Sequence, residues 1–498
     1  MRRWIGLLGL LVVGVAGTVW WSSRNAVRLE PLDAQRFAQM SETEQVEWLI
    51  EQILARCRRT DTLSQILQKI PFLRRAPSTH RPLVSTDIDA IGMACVEYDL
   101  PHWLNRFARH VEFETTRELL AVYQAILQGR KGDWQAAEQT VQQIRTDAVK
   151  ALALAHLGRL KAEAGQAEAA RRDFEQAHTL LSQPVELHAQ LEASAAYSLL
   201  VQHSYVGETP EAVVQMVQFF PHYLHTVLLQ LPADVYRRRG DIKRLRQLLD
   251  VCPANARSVV EPRLAQALIE QGRVDEGMQQ LARVGACDAK QLVAIVRALD
   301  QQGRKDDAMH LADQMYAWLE DIFTRSSPQR LITEGAYIQT PYGEVYTDVD
   351  RTRQDSVSFH LEQSRVLGLL ASLYIEWGHA ARTEQLVNAS PYVQMENYAP
   401  FVYANLARAC HELGEHAHAR RYLEQALKEA QKVARSSNDL SSENWLIKVA
   451  YDYASFGDYT RALEIAQTMR PDNQSEVLSF ILQEKVRTRN PFWRELVW

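Results

Sequence analysis

Residues 152–181 read LALAHLGRLKAEAGQAEAARRDFEQAHTLL. An Ala-rich stretch laced with Glu and Arg suits a long surface helix, half of a coiled coil or one unit of a repeat, and Gly165 decides between them. Leu154, Leu157 and Leu160 share one face of a first helix. Gly165 stands where a left-handed residue stops that helix. Ala170, Phe174, Ala177 and Leu181 then share one face of a second helix, with Gly158 and Ala170 small where the two must approach closely. Neither helix buries its apolar face alone, so neighbours must stack. The break at Gly165 also excludes a coiled coil, which would have to continue through it.

Working outward, a glycine closes one apolar stretch and precedes another at Gly132, Gly165, Gly207, Gly240, Gly272, Gly303, Gly378, Gly414 and Gly457, with several steps of 31 to 36 residues. Periods of this size mark arrays of helical hairpins. The length agrees: 498 residues exceed what one globular core holds, but an extended repeat has no such limit. Apolar content of 46%, charged content of 23% and a formal charge of −5 are those of an ordinary folded protein and exclude a general polyanion binder, so no nucleic acid is expected as a partner.

The pattern of Leu154, Leu157, Gly158, Gly165, Ala170, Phe174 and Ala177 resembles the tetratricopeptide repeat, and so does that of Tyr403, Leu406, Ala407, Ala419, Leu423 and Ala426 around Gly414. Partial units surround Gly272, Gly378 and Gly457. The resemblance spans roughly residues 115 to 470 and implies an all-α, tetratricopeptide-like right-handed α-solenoid that binds proteins or peptides in a concave groove lined by the first helices. Leu245, Gly277 and Thr383 replace the family's second-helix Ala, and Pro232 interrupts the first helix before Gly240.

Ahead of the repeats, Trp4 to Trp21 is an uncharged, apolar run of 18 residues bracketed by tryptophans, long enough to span a bilayer and anchored as an aromatic belt would anchor it. An N-terminal transmembrane helix over residues 1–24 is expected, making the lipid bilayer a partner. A bacterial inner-membrane protein with its helical body in the periplasm is the preferred topology; a secreted protein after signal cleavage and a cytoplasmic body are the alternatives. Ser41 and Glu44 form a capping box that opens a helix through Val46, Leu49, Ile50 and Leu54. A shorter helix around Leu63 to Ile70 and a proline-rich linker complete residues 25–84. Repeats occupy 85–325 and 359–498, with an insertion at 326–358 between them. The five cysteines are scattered without metal or disulfide spacing and read as small buried hydrophobes.

In the insertion, Tyr337-Ile338 and Val345-Tyr346 suit short strands around a turn at Thr340-Pro341-Tyr342-Gly343, so an exposed loop or small hairpin should protrude there. Tyr337, Tyr342 and Tyr346 are its candidate partner contacts. Arg159, Arg297 and Arg408 each stand six residues before a turn glycine and could form an interrupted ladder for an acidic peptide; alternatively Arg159 pairs with Glu163 and Arg408 with Glu412. His411 and His416 miss the i, i+4 spacing of a zinc-protease motif, and Asp348, Asp350 and Asp355 lack the remainder of a calcium loop. Residues 236–246 are densely basic, as a solvated turn or a patch for an acidic partner. The aromatic C-terminus, Pro491 to Trp498, suits a cap on the last hairpin. No catalytic, metal or cofactor residues are assigned. The expected function is a membrane-anchored interaction scaffold at the envelope; the alternative is an accessory or processing enzyme with a dispersed site near the insertion.

Overall fold

The computed structural model describes residues 31–57, 85–108, 111, 114–186, 189–203, 209–284, 286–325, 336–348, 356–394, 398–436 and 443–494. The expected membrane anchor, the helix over Leu63 to Ile70, the proline-rich linker and Gly207 lie outside them. No helix among the described residues is long and apolar enough to cross a membrane.

Local chemistry sets the helix ends. Glu44 Oε2 accepts from the Ser41 N–H at 2.7 Å while Ser41 Oγ accepts from the Glu44 N–H, which is the expected capping box. At the other end, Gly132, Gly165, Gly240, Gly272, Gly303, Gly378, Gly414 and Gly457 all have positive φ. At Gly165 (φ 76°) the paired returns run from the Gly165 N–H to Ala162 O and from the Gln166 N–H to Lys161 O.

The helices begin with α1 (Ala34–Gln39), α2 (Glu42–Arg56), α3 (Ser85–Glu97), α4 (Pro101–Ala108), α5 (Glu114–Arg130), α6 (Trp134–Gln142), α7 (Asp147–Glu163) and α8 (Ala167–Leu181). They continue through α9 (Gln190–His203), α10 (Pro210–Val217), α11 (His222–Arg238), α12 (Ile242–Val251), α13 (Arg257–Glu270) and α14 (Val274–Val284). Strand β1 (Ala286–Asp288), α15 (Ala289–Gln301), α16 (Lys305–Arg325), β2 (Ala336–Thr340) and β3 (Gly343–Asp348) follow. Then come α17 (Ser356–Glu376), α18 (Ala380–Ala389), the one-turn α19 (Pro391–Gln394), α20 (Ala399–Glu412), α21 (His416–Ser436), α22 (Asn444–Ser455), α23 (Tyr459–Gln467) and α24 (Pro471–Arg489). A 3₁₀ turn, Pro491–Arg494, ends the described chain.

The first helices pack on one another in sequence: α3, α5, α7, α9, α11, α13, α15, α17, α20, α22 and α24. The circuit does not stay open, because α24 returns to pack on α3. The expected α-solenoid thus closes on itself into a ring. The closing hairpin is composite: α24 comes from the C-terminal end, while α2, from the N-terminal end, lies on it, and α1 lies on α23. Polar contacts stitch this seam. Ser479 Oγ donates to Asp87 Oδ1 at 2.6 Å, Arg56 Nε to Gln474 Oε1 at 2.7 Å, and Lys485 Nζ to Gln45 Oε1 at 2.8 Å. The reason is the one that led to expecting a cap: an end repeat exposes an apolar face, and here each end covers the other.

Pro232 does not interrupt α11, which runs straight through it. Proline removes the N–H that would have reached the carbonyl four residues back, and the buried hydroxyl of Tyr197 on α9 donates to that carbonyl, Leu228 O, at 3.1 Å. The substituted second-helix positions are accommodated as well. Thr383 Oγ1 donates to Ala371 O at 2.9 Å, and Gly277 lies where an added Cβ would meet Ala265 O at 2.8 Å.

The insertion forms the two expected strands, but it is not a protrusion. β3 pairs antiparallel with β2 and parallel with β1, which makes a three-stranded sheet, and β1 is too short to have left a sequence signal. Ile338, Val345 and Thr347 are buried, β3 packs on α14 and β2 on α16. The Gln314 side chain grips the backbone N–H and C=O of Gln339, occupying the sheet edge at that point.

Candidate functional site: the inner wall of the ring

Each hairpin buries one stripe of its first helix against its own second helix and two flanks against neighbouring first helices. The remaining stripe forms the inner wall, and the residues six positions before the turn glycines belong to it. Arg159 on α7, Arg297 on α15 and Arg408 on α20 stand at the same position of their helices, with other residues between them in the stack. Asp234, Gln266 and Ser372 occupy the same place on α11, α13 and α17.

Each of the three arginines has a different environment. Arg159 donates to Glu163 Oε1 at 2.5 Å, the expected i, i+4 pair. Arg408 does not pair with Glu412; it reaches across to Asp452 on α22, with Nη2 donating to Oδ2 at 3.2 Å. The stack brings a neighbour's carboxylate closer than the one on its own helix, a relation that spacing within one helix cannot reveal. Arg297 has neither. Its Nε and Nη2 are buried without an acceptor.

Arg408 and Asp452 border a recess of 440 Å³ between α20, α22 and α24, lined also by Lys448, Tyr451, Glu476 and Phe480. The Tyr451 and Phe480 rings stack at 4.0 Å, and the Tyr451 hydroxyl donates to Glu476 Oε1. Burial, reinforced by the Arg408 charge, lowers the Lys448 pKa, and its ammonium lies 4.5 Å from the centre of the Phe401 ring. An aromatic platform beside cations can hold an apolar side chain next to an acidic group.

Across the closure, on the next stretch of wall, the C-terminal turn is already docked. The Arg159 guanidinium lies 3.9 Å from the centre of the Phe492 ring, and the His156 and His203 rings stand 6.0 Å from it. Trp493 packs against Tyr123 and His156 and is 1% exposed. Its indole Nε1 donates at 2.8 Å to Glu97 Oε1, which also accepts from Asn490 Nδ2 and Arg130 Nη1. Burial keeps the His156 pKa well below the usual histidine value, so its ring is neutral at pH 7. The expected cap is therefore present over Pro491–Arg494, but it caps across the closure, on α3, α5, α7 and α9. Its aromatic character was legible in sequence; its receptor, built from four helices, was not.

The hairpin tyrosines lie apart from both regions. The Tyr337 and Tyr346 rings pair across the strands at 5.2 Å, and the hydroxyl of Tyr342, at the tip, bonds to Asp275. The basic stretch is substantially neutralised. Arg237 pairs with Glu270, Arg244 with Asp241, Arg246 with Glu276, and Arg239 donates to Gln202 O. The His411 ring stacks on Phe456 at 4.1 Å, and no group of residues suited to a metal ion occurs among the described residues. Asp350 and Asp355 lie outside them. All five cysteines are buried and none forms a disulfide, as expected of small hydrophobes.

No curated protein matches the chain. One stretch, residues 402–432, matches the tetratricopeptide repeat family and covers most of α20 and α21, the hairpin that carries Arg408. Residues 402–432 are thus similar to a tetratricopeptide repeat and sit within a ring of helical hairpins.

Proposed function

We propose that this protein is a membrane-anchored, tetratricopeptide-like scaffold that binds segments of other proteins along the inner wall of its ring, at the cell envelope. Tetratricopeptide repeats generally bind proteins, and the hairpin that matches the family contributes Arg408 to the recess of Lys448, Tyr451 and Phe480. That recess is the observation that carries the reading. It offers a stacked aromatic surface with cations beside it. On the same wall, half-buried Arg297 adds two guanidinium nitrogens, Nε and Nη2, that have no acceptor among the described residues, and Arg159 adds a fourth cation.

The anchor is the Trp4 to Trp21 run, and the preferred topology places the ring in the periplasm of a bacterium. Detergent, and not high salt, should be needed to extract the intact chain, whereas residues 30 to 498 should be soluble. Recovery of full-length protein in the soluble fraction with Met1 still present would sink the anchor. For the scaffold, crosslinking in cells followed by mass spectrometry should give partner crosslinks that diminish in a Lys448→Glu, Tyr451→Ala variant. An unchanged set of crosslinks would remove the recess from the binding surface. Deleting residues 328–355 tests the hairpin tyrosines in the same way.

A further inference from the structure

The docked C-terminal turn joins two unlike residues. Trp493 is fully buried and its N–H is satisfied by Glu97, so it belongs to the core. Phe492 is only half-buried; its backbone N–H donates to Asn490 Oδ1 at 3.2 Å, while its side chain meets other rings and a guanidinium, Arg159 over its face and His156 and His203 at its edges. Beneath it the wall is not satisfied. Among the described residues, Arg159 Nε and His156 Nδ1 are buried without a hydrogen-bond partner, although Arg159 Nη1 donates to Glu163. A phenyl ring fills the volume but brings no acceptor, and buried polar groups left unmet are costly. A ligand with an aromatic ring and an adjacent carboxylate would fill the same volume and also accept from Arg159.

We propose that the place Phe492 fills between His156, Arg159 and His203 is a binding site for an aromatic residue flanked by acidic residues on a partner protein, and that Phe492 is its displaceable resident. The proposal rests on the scaffold reading and names the chemistry of one of its ligands. Trp493 stays in place and forms the floor against Tyr123. Phe492 swings out, and the incoming ring takes its position between the two histidines. The occupied wall stays closed to weak ligands and opens to those that supply the missing acceptor.

The test uses the full chain in detergent and a fluorescent peptide, Asp-Asp-Phe-Asp-Asp, followed by anisotropy. Phe492→Ala should bind the peptide at least about tenfold more tightly than the unaltered chain. Adding Arg159→Ala should abolish that gain, as should replacing the peptide's Asp residues by Asn. Equal binding by the unaltered chain and the Phe492→Ala variant would overturn the proposal. So would failure of the Phe492→Ala variant to fold, since Phe492 would then be core; Phe492→Leu, which keeps volume without the ring, should fold and bind the peptide better than the unaltered chain, and equal binding there overturns the proposal too. Binding that ignores both Phe492 and Arg159 but is lost in Lys448→Glu would overturn this site while leaving the scaffold reading standing.

Discussion

The guanidinium of Arg408 lies against the carboxylate of Asp452 on the neighbouring inner helix, and that carboxylate side chain is only 3% exposed. Removing one partner of such a pair leaves the other charge buried and alone. Arg408→Met should therefore destabilise the ring by roughly 3–5 kcal/mol, and adding Asp452→Leu should restore most of the loss. Urea unfolding of the single and double variants checks this; additive losses would contradict it.

Tyr197 and Pro232 make a second testable pair. Tyr197→Phe strips the donor from Leu228 O and should cost about 1–3 kcal/mol. In a Pro232→Ala background the helix supplies its own N–H to that carbonyl, so the same Tyr197→Phe change should cost much less. A double-mutant cycle with no coupling would show that the hydroxyl does not substitute for the missing amide.

Gly92 faces Tyr123 so closely that an added Cβ would lie 2.1 Å from Cδ2 of the ring, against 2.9 Å for the corresponding approach of Gly158 to Phe174. Gly92→Ala should cost roughly 1–3 kcal/mol through overpacking, and more than Gly158→Ala. Because Tyr123 supports Trp493, Gly92→Ala should also raise amide exchange in residues 490–494, as read by mass spectrometry.

Asp89 gives the ring a pH dependence. Burial, with smaller contributions from the Glu192 and Asp87 charges and against the hydrogen bond from Tyr123, pushes its carboxyl up to about 7 from an ordinary 3.8. The unfolded chain releases this proton near the ordinary value while the folded chain holds it, so this contribution is complete at low pH and is lost as pH rises through about 7. Asp89→Asn should reduce the fall in stability between about pH 4.5 and about pH 8 by on the order of 2 kcal/mol. Identical pH profiles for the two proteins would contradict the assignment.

The hairpin pattern, its turn glycines and the capping box at Ser41 were legible because each depends on neighbours within about one turn of the chain: an apolar stripe, a left-handed residue, a serine before a glutamate. What could not be read were relations across the stack. Arg408 chooses Asp452, 44 positions away, over Glu412; Pro232 is rescued by Tyr197; and β1 exists because β3 comes to it. The inner-wall position of Arg159 follows from the repeat period. Its partner ring, Phe492, lies 333 residues further on in sequence, and nothing local encodes that meeting.

The composite hairpin at the closure has a consequence for synthesis. α1 and α2 are made well before the helices they cover, α23 and α24. Until then the apolar faces of α2 and α3 have no lasting cover, so assembly is all or nothing with respect to chain completion. A chain cut short before Pro471 should not behave as a shorter but sound array, as truncated open solenoids can. It should be a substrate for quality control, and only the finished chain should present an inner wall.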